Sequence, residues 1–254
     1  MRWREYSSSG LHVRRVVDPP APPVLLLHGL GVAGAVWQAF ARRLLPHLAG
    51  VAPDLRGHGL SDAPHSGYQP ADYAGDLLEL FTSEGVMPIV GHSLGALVAL
   101  ETAARAPVPW VVLLDPPLDP SNRNSEIADV YRLRHAADGE LEAYLLGRNP
   151  GGGELLARSL AGMFRQASDA AFEAMLARDS FEVPAIQTRV LVLQADPQRG
   201  GVLGDAAAAR LMSKLPNAQL KKFDNAPHAL HASHPAEVAA AILDFGGYSS
   251  VSSA

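Results

Sequence analysis

Apolar residues in this chain fall in short unbroken runs, separated by breaks rich in glycine and proline. Val24-Leu25-Leu26-Leu27, Met87-Pro88-Ile89-Val90, Trp110-Val111-Val112-Leu113-Leu114 and Val190-Leu191-Val192-Leu193 carry no polar alternation. Runs of that length without period two read as strands covered on both faces. Gly50-Val51-Ala52-Pro53 is a shorter one of the same kind, and Ala218 to Phe223 alternates, as an edge strand does. Residues 1–18 read as two short strands around Ser7-Ser8-Ser9-Gly10. Asp18-Pro19-Pro20-Ala21-Pro22-Pro23 then forms a stiff connector with no place inside a sheet. Between the runs the period lengthens toward 3.6. It predicts helices at about 35–45, at 68–81, directly after residue 93, at 205–215 and at 235–245. Strands alternating with helices predict an α/β fold: a mostly parallel sheet with helices on both faces.

From about 117 to 184 the strand runs disappear. Helical stretches take over at Ser125–His135, Gly139–Leu146, Glu154–Gln166 and Asp169–Arg178, broken by Gly151-Gly152-Gly153. A helical block inserted after the sixth strand reads as a lid. The expected division is a core made of 1–116 and 185–246, a lid at 117–184, and a loose tail at 247–254. Met163, Phe164, Phe172, Met175 and Phe181 either line a pocket under that lid or form the lid's own core. Any of Arg123, Arg132, Arg134, Arg148, Arg158 and Arg165 is placed to meet a substrate carboxylate, though most are expected to be solvated.

The totals narrow the classes. The 254 residues suffice for one large domain, and 48% hydrophobic residues argue against disorder. A net charge of −5 with no basic stripe argues against nucleic acid as a partner. There is no cysteine, hence no disulfide framework and no thiolate nucleophile. The first residues lack the apolar core of a signal peptide, and no run approaches the ~20 apolar residues of a membrane span. These features fit a cytoplasmic protein, monomeric or homodimeric, acting on a small molecule.

Between a buried strand and a packed helix lies Gly91-His92-Ser93-Leu94-Gly95. A Gly-x-Ser-x-Gly turn in that context is the pattern of a nucleophile elbow: it holds a serine hydroxyl above the sheet edge, over a helix N-terminus. A serine hydroxyl needs a base to take its proton, and the base needs an orienting carboxylate. In an open parallel sheet the loops after different strands converge at one edge. Ser93, Asp196 and His228 each follow a strand there, in the order nucleophile, acid, base. Asp115 also follows a strand and is the alternative acid. The Leu30 and Leu94 backbone N–H groups are the candidate oxyanion hole. His28, His58 and Asp54 read as braces of turns, and strand alternation points His92 away from the site. His228, His231 and His234 lack a carboxylate or cysteine at ligand spacing, so no metal site is expected.

Four motifs together resemble the α/β-hydrolase superfamily in its lid-bearing branch. They are His28-Gly29 after a buried strand, Pro53 through Asp62, the elbow itself, and Pro227-His228 followed by His234-Pro235-Ala236-Glu237-Val238. The resemblance implies eight mostly parallel strands, Ser-Asp-His roles and no cofactor. Two positions depart from it. Pro227 stands where the family usually has glycine, and the family's acid would fall two residues after Asp196, at Gln198. Serine at the elbow argues against dehalogenases and epoxide hydrolases, which carry aspartate there. The expected activity is cleavage of a small carboxylic ester or lactone through an acyl-enzyme. The same triad also permits carbon–carbon bond hydrolysis or cofactor-free perhydrolysis, and the fold can serve as a non-catalytic receptor.

Overall fold

A computed structural model describes residues 1–119, 124–137, 139–148 and 150–248. Eight strands form one sheet: β1 (Arg2–Ser8), β2 (Leu11–Asp18), β3 (Pro23–Leu27), β4 (Ala49–Pro53), β5 (Ile89–His92), β6 (Trp110–Leu114), β7 (Arg189–Gln194) and β8 (Ala218–Lys222). Their spatial order is β1-β2-β4-β3-β5-β6-β7-β8. β1 and β2 pair antiparallel, as do β2 and β4. Every later pairing is parallel.

The unbroken apolar runs are explained by what covers them. Leu25 and Leu27 of β3, Val111 and Leu113 of β6, and Val190 and Val192 of β7 join one core. Their neighbours Val24, Leu26, Val112, Leu114, Leu191 and Leu193 join a second core on the opposite face. The first core is closed by α2 (Pro70–Glu84), α3 (Leu94–Ala103) and α8 (Asp205–Lys214). The second is closed by α1 (Gln38–Ala41), α9 (Leu230–Ser233) and α10 (Pro235–Phe245). Each fully buried leucine or valine contributes on the order of 1.5–3 kcal/mol over leaving it exposed. β8 keeps one edge, with its exposed Lys221 and Lys222 blunting it against pairing.

One expected helix is shorter than its pattern. In place of a helix over 35–45 the chain makes a 3-10 turn at Gly34–Trp37, then only four α-helical residues. The peptide entering Pro46 disfavours helical geometry at Leu45, so the segment ends in single turns such as His47 N–H to the Leu44 carbonyl, 3.0 Å.

Between β6 and β7 the chain forms α4 (Asn124–Leu133), α5 (Glu140–Arg148), α6 (Gly153–Gln166) and α7 (Asp169–Leu176). This block holds a small core of its own, with Val130, Leu133, Leu141, Ala161, Ala167 and Phe172, and Leu30 packs against it. Arg134, 3% exposed at its side chain, pins the block: it pairs with Asp169 at 2.7 Å, donates to the Arg165 and Ala167 carbonyls, and lies over the Phe172 ring. Arg123 and residues 249–254 of the expected tail lie outside the described residues. No helix among the described residues is long and apolar enough to cross a membrane.

Candidate active site

The site assembles where parallel strands end. β5 runs into α3 through Ser93, whose backbone takes φ 54° and ψ −118°, a conformation sparsely populated by residues with a Cβ. Two glycines make the turn possible. A Cβ on Gly91 would run into the Gly95 carbonyl, and one on Gly95 would run into the Leu27 carbonyl at the end of β3. The Ser93 N–H is held by the Leu114 carbonyl at 3.0 Å, which ties the elbow to β6. Leu94 opens α3, so its N–H is among those with no partner inside the helix. The loop after β3 comes close: a Cβ on Gly29 would lie 3.3 Å from Ser93 Cβ. Leu30, the next residue, lines the same cavity as Ser93 and His228.

His228 lies in the loop after β8. Its Nδ1 bonds Asp115 Oδ2 at 2.6 Å, with the carboxylate fully buried and the imidazole 28% exposed. Asp115 directly follows β6 and takes φ 47°, a left-handed value that aspartate tolerates better than most residues. Its carboxylate also accepts the N–H groups of Ala195 (3.3 Å), Val202 (2.8 Å) and Leu203 (3.2 Å). A buried carboxylate needs such donors, because an unpaired charge there is heavily penalised.

Asp196 does not make the contact expected of it. Its carboxylate accepts the N–H groups of Gln198 (2.9 Å) and Asn225 (3.1 Å), and its own N–H bonds the Ala226 carbonyl (2.9 Å). It braces the loop that carries His228 and does not bind the imidazole. The reading of Asp196 as the partner of His228 is therefore corrected to Asp115. The physical reason is the path of residues 195–203. That segment crosses the end of β6 and turns three backbone N–H groups onto Asp115, while Asp196 faces the neighbouring 225–226 turn.

The other polar candidates act as braces, and one has a further contact. Asp54 is fully buried and holds Arg14 Nη1 (2.5 Å), Gly34 N–H (2.7 Å) and Leu60 N–H (3.0 Å). His28 accepts the Leu55 N–H at Nε2, 2.9 Å, and burial pushes it down to about 4. His58 bonds the Arg56 carbonyl, and burial pushes it to about 3. His92 lies off the cavity, as alternation predicts, but its Nε2 donates to the His228 carbonyl at 3.2 Å and its ring packs 4.6 Å from the His228 ring. Burial, followed by the neighbouring His228 and His231, lowers the His92 pKa well below the ordinary histidine value. Sequence reasoning missed this contact because nothing local says that a residue facing away from the cavity meets His228 from behind. His231 packs on Trp37 at 4.4 Å and on His92 at 4.7 Å, and His234 bonds Ser233 Oγ at 3.0 Å.

Ser93 and His228 share a cavity of about 120 Å³ with Leu30, Pro117, Glu126, Ile127, Val130, Phe164, Phe172, Met175 and Val202. Phe164, Phe172 and Met175 thus line it, whereas Phe181 joins the larger core beneath the sheet.

The alpha/beta hydrolase family model matches residues 24–241, and the chain belongs to that family. Among curated proteins it is similar to 2-(acetamidomethylene)succinate hydrolase of Mesorhizobium japonicum, 37% identical over 142 residues, covering 51% of this chain and 49% of that one. It is also similar to lipase LipV of Mycobacterium tuberculosis, 38% identical over 110 residues, with 42% and 41% covered. The chain thus spans about half the length of the first relative and less of the second. Among solved structures, E-2-(acetamidomethylene)succinate hydrolase superposes with a TM-score of 0.78 at 25% identity, covering 97% of this chain and all of that one. The esterase RhEst1 from Rhodococcus sp. ECU1013 gives 0.77 at 24% identity, covering 96% and 98%, a likeness of fold.

Proposed function

We propose that the chain is a serine hydrolase that cleaves a small carboxylic ester or lactone through an acyl-enzyme. Ser93 is the nucleophile, His228 the base and Asp115 the acid. With Nδ1 bound to Asp115, the His228 tautomer is set and Nε2 remains to take the Ser93 proton. The buried carboxylate then stabilises the imidazolium as the hydroxyl oxygen attacks the ester carbonyl. The oxyanion is received by the Leu30 and Leu94 N–H groups, which need no rearrangement as the charge develops; donors of this kind are each worth roughly 10²–10³ in rate. His228 protonates the departing alcohol, activates water, and the acyl group leaves as a carboxylic acid. In this reading α4–α7 are the lid that excludes water from the cavity.

The observation that carries the proposal is the 2.6 Å bond between His228 and a fully buried Asp115, with His228 and the strained Ser93 on one cavity wall. The test is hydrolysis of p-nitrophenyl butyrate by the wild type beside Ser93→Ala, with an alkyl fluorophosphonate as covalent label. Turnover and labelling that both vanish in the variant support the assignment. Hydrolysis that persists in Ser93→Ala removes it.

A further inference from the structure

We infer that the cavity beside Ser93 admits a short, uncharged group and turns carboxylates away, with Glu126 setting that preference. The inference rests on the hydrolytic reading above and adds the substrate class. An apolar cavity of roughly 150 Å³ holds a benzene ring. This one, at about 120 Å³, suits a chain of about four carbons.

Its walls are apolar on most sides. Of the residues lining it, Glu126 carries the one acidic side chain, and none carries a guanidinium or an ammonium. Of the described arginines of the helical block, Arg132 pairs with Asp129, Arg134 with Asp169, Arg158 with Glu154 and Arg165 with Glu142. Two reach lining residues without themselves lining the cavity: Arg148 pairs with Glu126, and Arg178 donates to the Pro117 carbonyl and to Met175 Sδ. A substrate carboxylate entering here loses water, meets the Glu126 carboxylate and finds no guanidinium or ammonium among the lining residues to replace its hydration. Arg148 holds Glu126 at 2.7 Å from outside the cavity and partly masks it. This reading separates the chain from a relative named for a succinate-derived substrate.

The experiment measures kcat/KM for ethyl butyrate against two anionic counterparts of similar size, monoethyl succinate and butyryloxyacetate, which place the charge on the acyl and the alcohol side. At least one anionic ester is expected to be tenfold poorer or worse than ethyl butyrate. Glu126→Gln narrows that ratio at least threefold, and Arg148→Gln, which unmasks the carboxylate, widens it. A merely structural role would lower all the esters together and leave the ratio fixed. Anionic esters within twofold of ethyl butyrate, or a ratio that neither variant moves, overturns the inference. A second arm does not depend on turnover. Butyramide and succinamate are titrated into Ser93→Ala by NMR, and succinamate is expected to bind at least tenfold more weakly, with the gap again narrowed by Glu126→Gln. Equal binding of the two amides overturns the inference. If no ester is turned over and fluorophosphonate leaves Ser93 unlabelled, the hydrolytic reading fails, and the binding ratio still decides the role of Glu126.

Discussion

Two aspartates end neighbouring strands of this sheet and look alike in sequence, each followed by proline, yet the fold puts them to different uses. Asp115, after β6, is fully buried and gathers three backbone N–H groups and the His228 imidazole. Asp196, after β7, is half-exposed and holds only the turns on either side of it. The loop that Asp196 begins is the one that donates N–H groups to Asp115. A loop can thus support the carboxylate that holds the imidazole without containing it. The lesson concerns desolvation: a hydrogen bond to a carboxylate withdrawn from water and satisfied by backbone donors is a stronger anchor for an imidazole than one that water can reach.

The sharpest way to break the comparison is to exchange the two roles by mutation. Asp115→Asn is expected to lower kcat by about 10³–10⁴, the loss typical of an acid that fixes the tautomer of its histidine. Asp196→Asn should stay within about threefold, because the amide oxygen still accepts from the turn. Steady-state kinetics on p-nitrophenyl butyrate, with circular dichroism to verify folding, decides between them. A larger loss at Asp196 would reverse the assignment.

Acid titration sharpens the same contrast through stability. His28, His58 and His231 are buried neutral, pushed by desolvation to about 4, 3 and 3. The unfolded chain takes up their protons near pH 6.5, while the folded chain does not until much lower pH. Stability is therefore full above pH 6.5 and is lost as pH falls from there toward 4, by about 1.4 kcal/mol per pH unit for each group. Urea unfolding at pH 7, 6 and 5 measures that slope. His58→Asn should flatten it by about one group's share.

A smaller effect is expected behind the base. His92→Leu removes the donor to the His228 carbonyl and should lower kcat about tenfold to a hundredfold with KM little changed, as slight misplacement of a catalytic group does. His92→Gln, which carries a donor at a similar reach, should restore much of the loss. Equal losses in both variants would mean that His92 only fills space. Smallest of all, Asp196→Ala frees the Gln198 and Asn225 N–H groups. It should cost about 1 kcal/mol of stability and at most a few-fold in kcat, read by thermal unfolding beside kinetics.

Much of this was legible in the order of residues. Gly91, Ser93 and Gly95 between a run of β-formers and a run of helix formers can make little else than a sharp elbow, because a Cβ at either glycine meets backbone. The buried strands declared themselves by lacking alternation, since both faces of β3, β6 and β7 are covered. The bracing of Asp54 and His58 also followed from a Gly-broken polar loop, where short side chains bond nearby backbone. Local pattern was blind to distances across the sheet edge. His92 and His228 are 136 positions apart in sequence and bonded in space.

The sequence by itself determined the α/β architecture, the sharp elbow at Ser93 and the loop that carries His228, because periodicity and turn chemistry act over a few residues and are written in order along the chain. It offered two aspartates at the ends of adjacent strands and favoured Asp196, which the structure keeps away from the imidazole. Only the tertiary structure chose between them, through the course of residues 195–203 over the end of β6: the carboxylate those backbone N–H groups meet is the one that can be buried with its oxygens satisfied and face the imidazole.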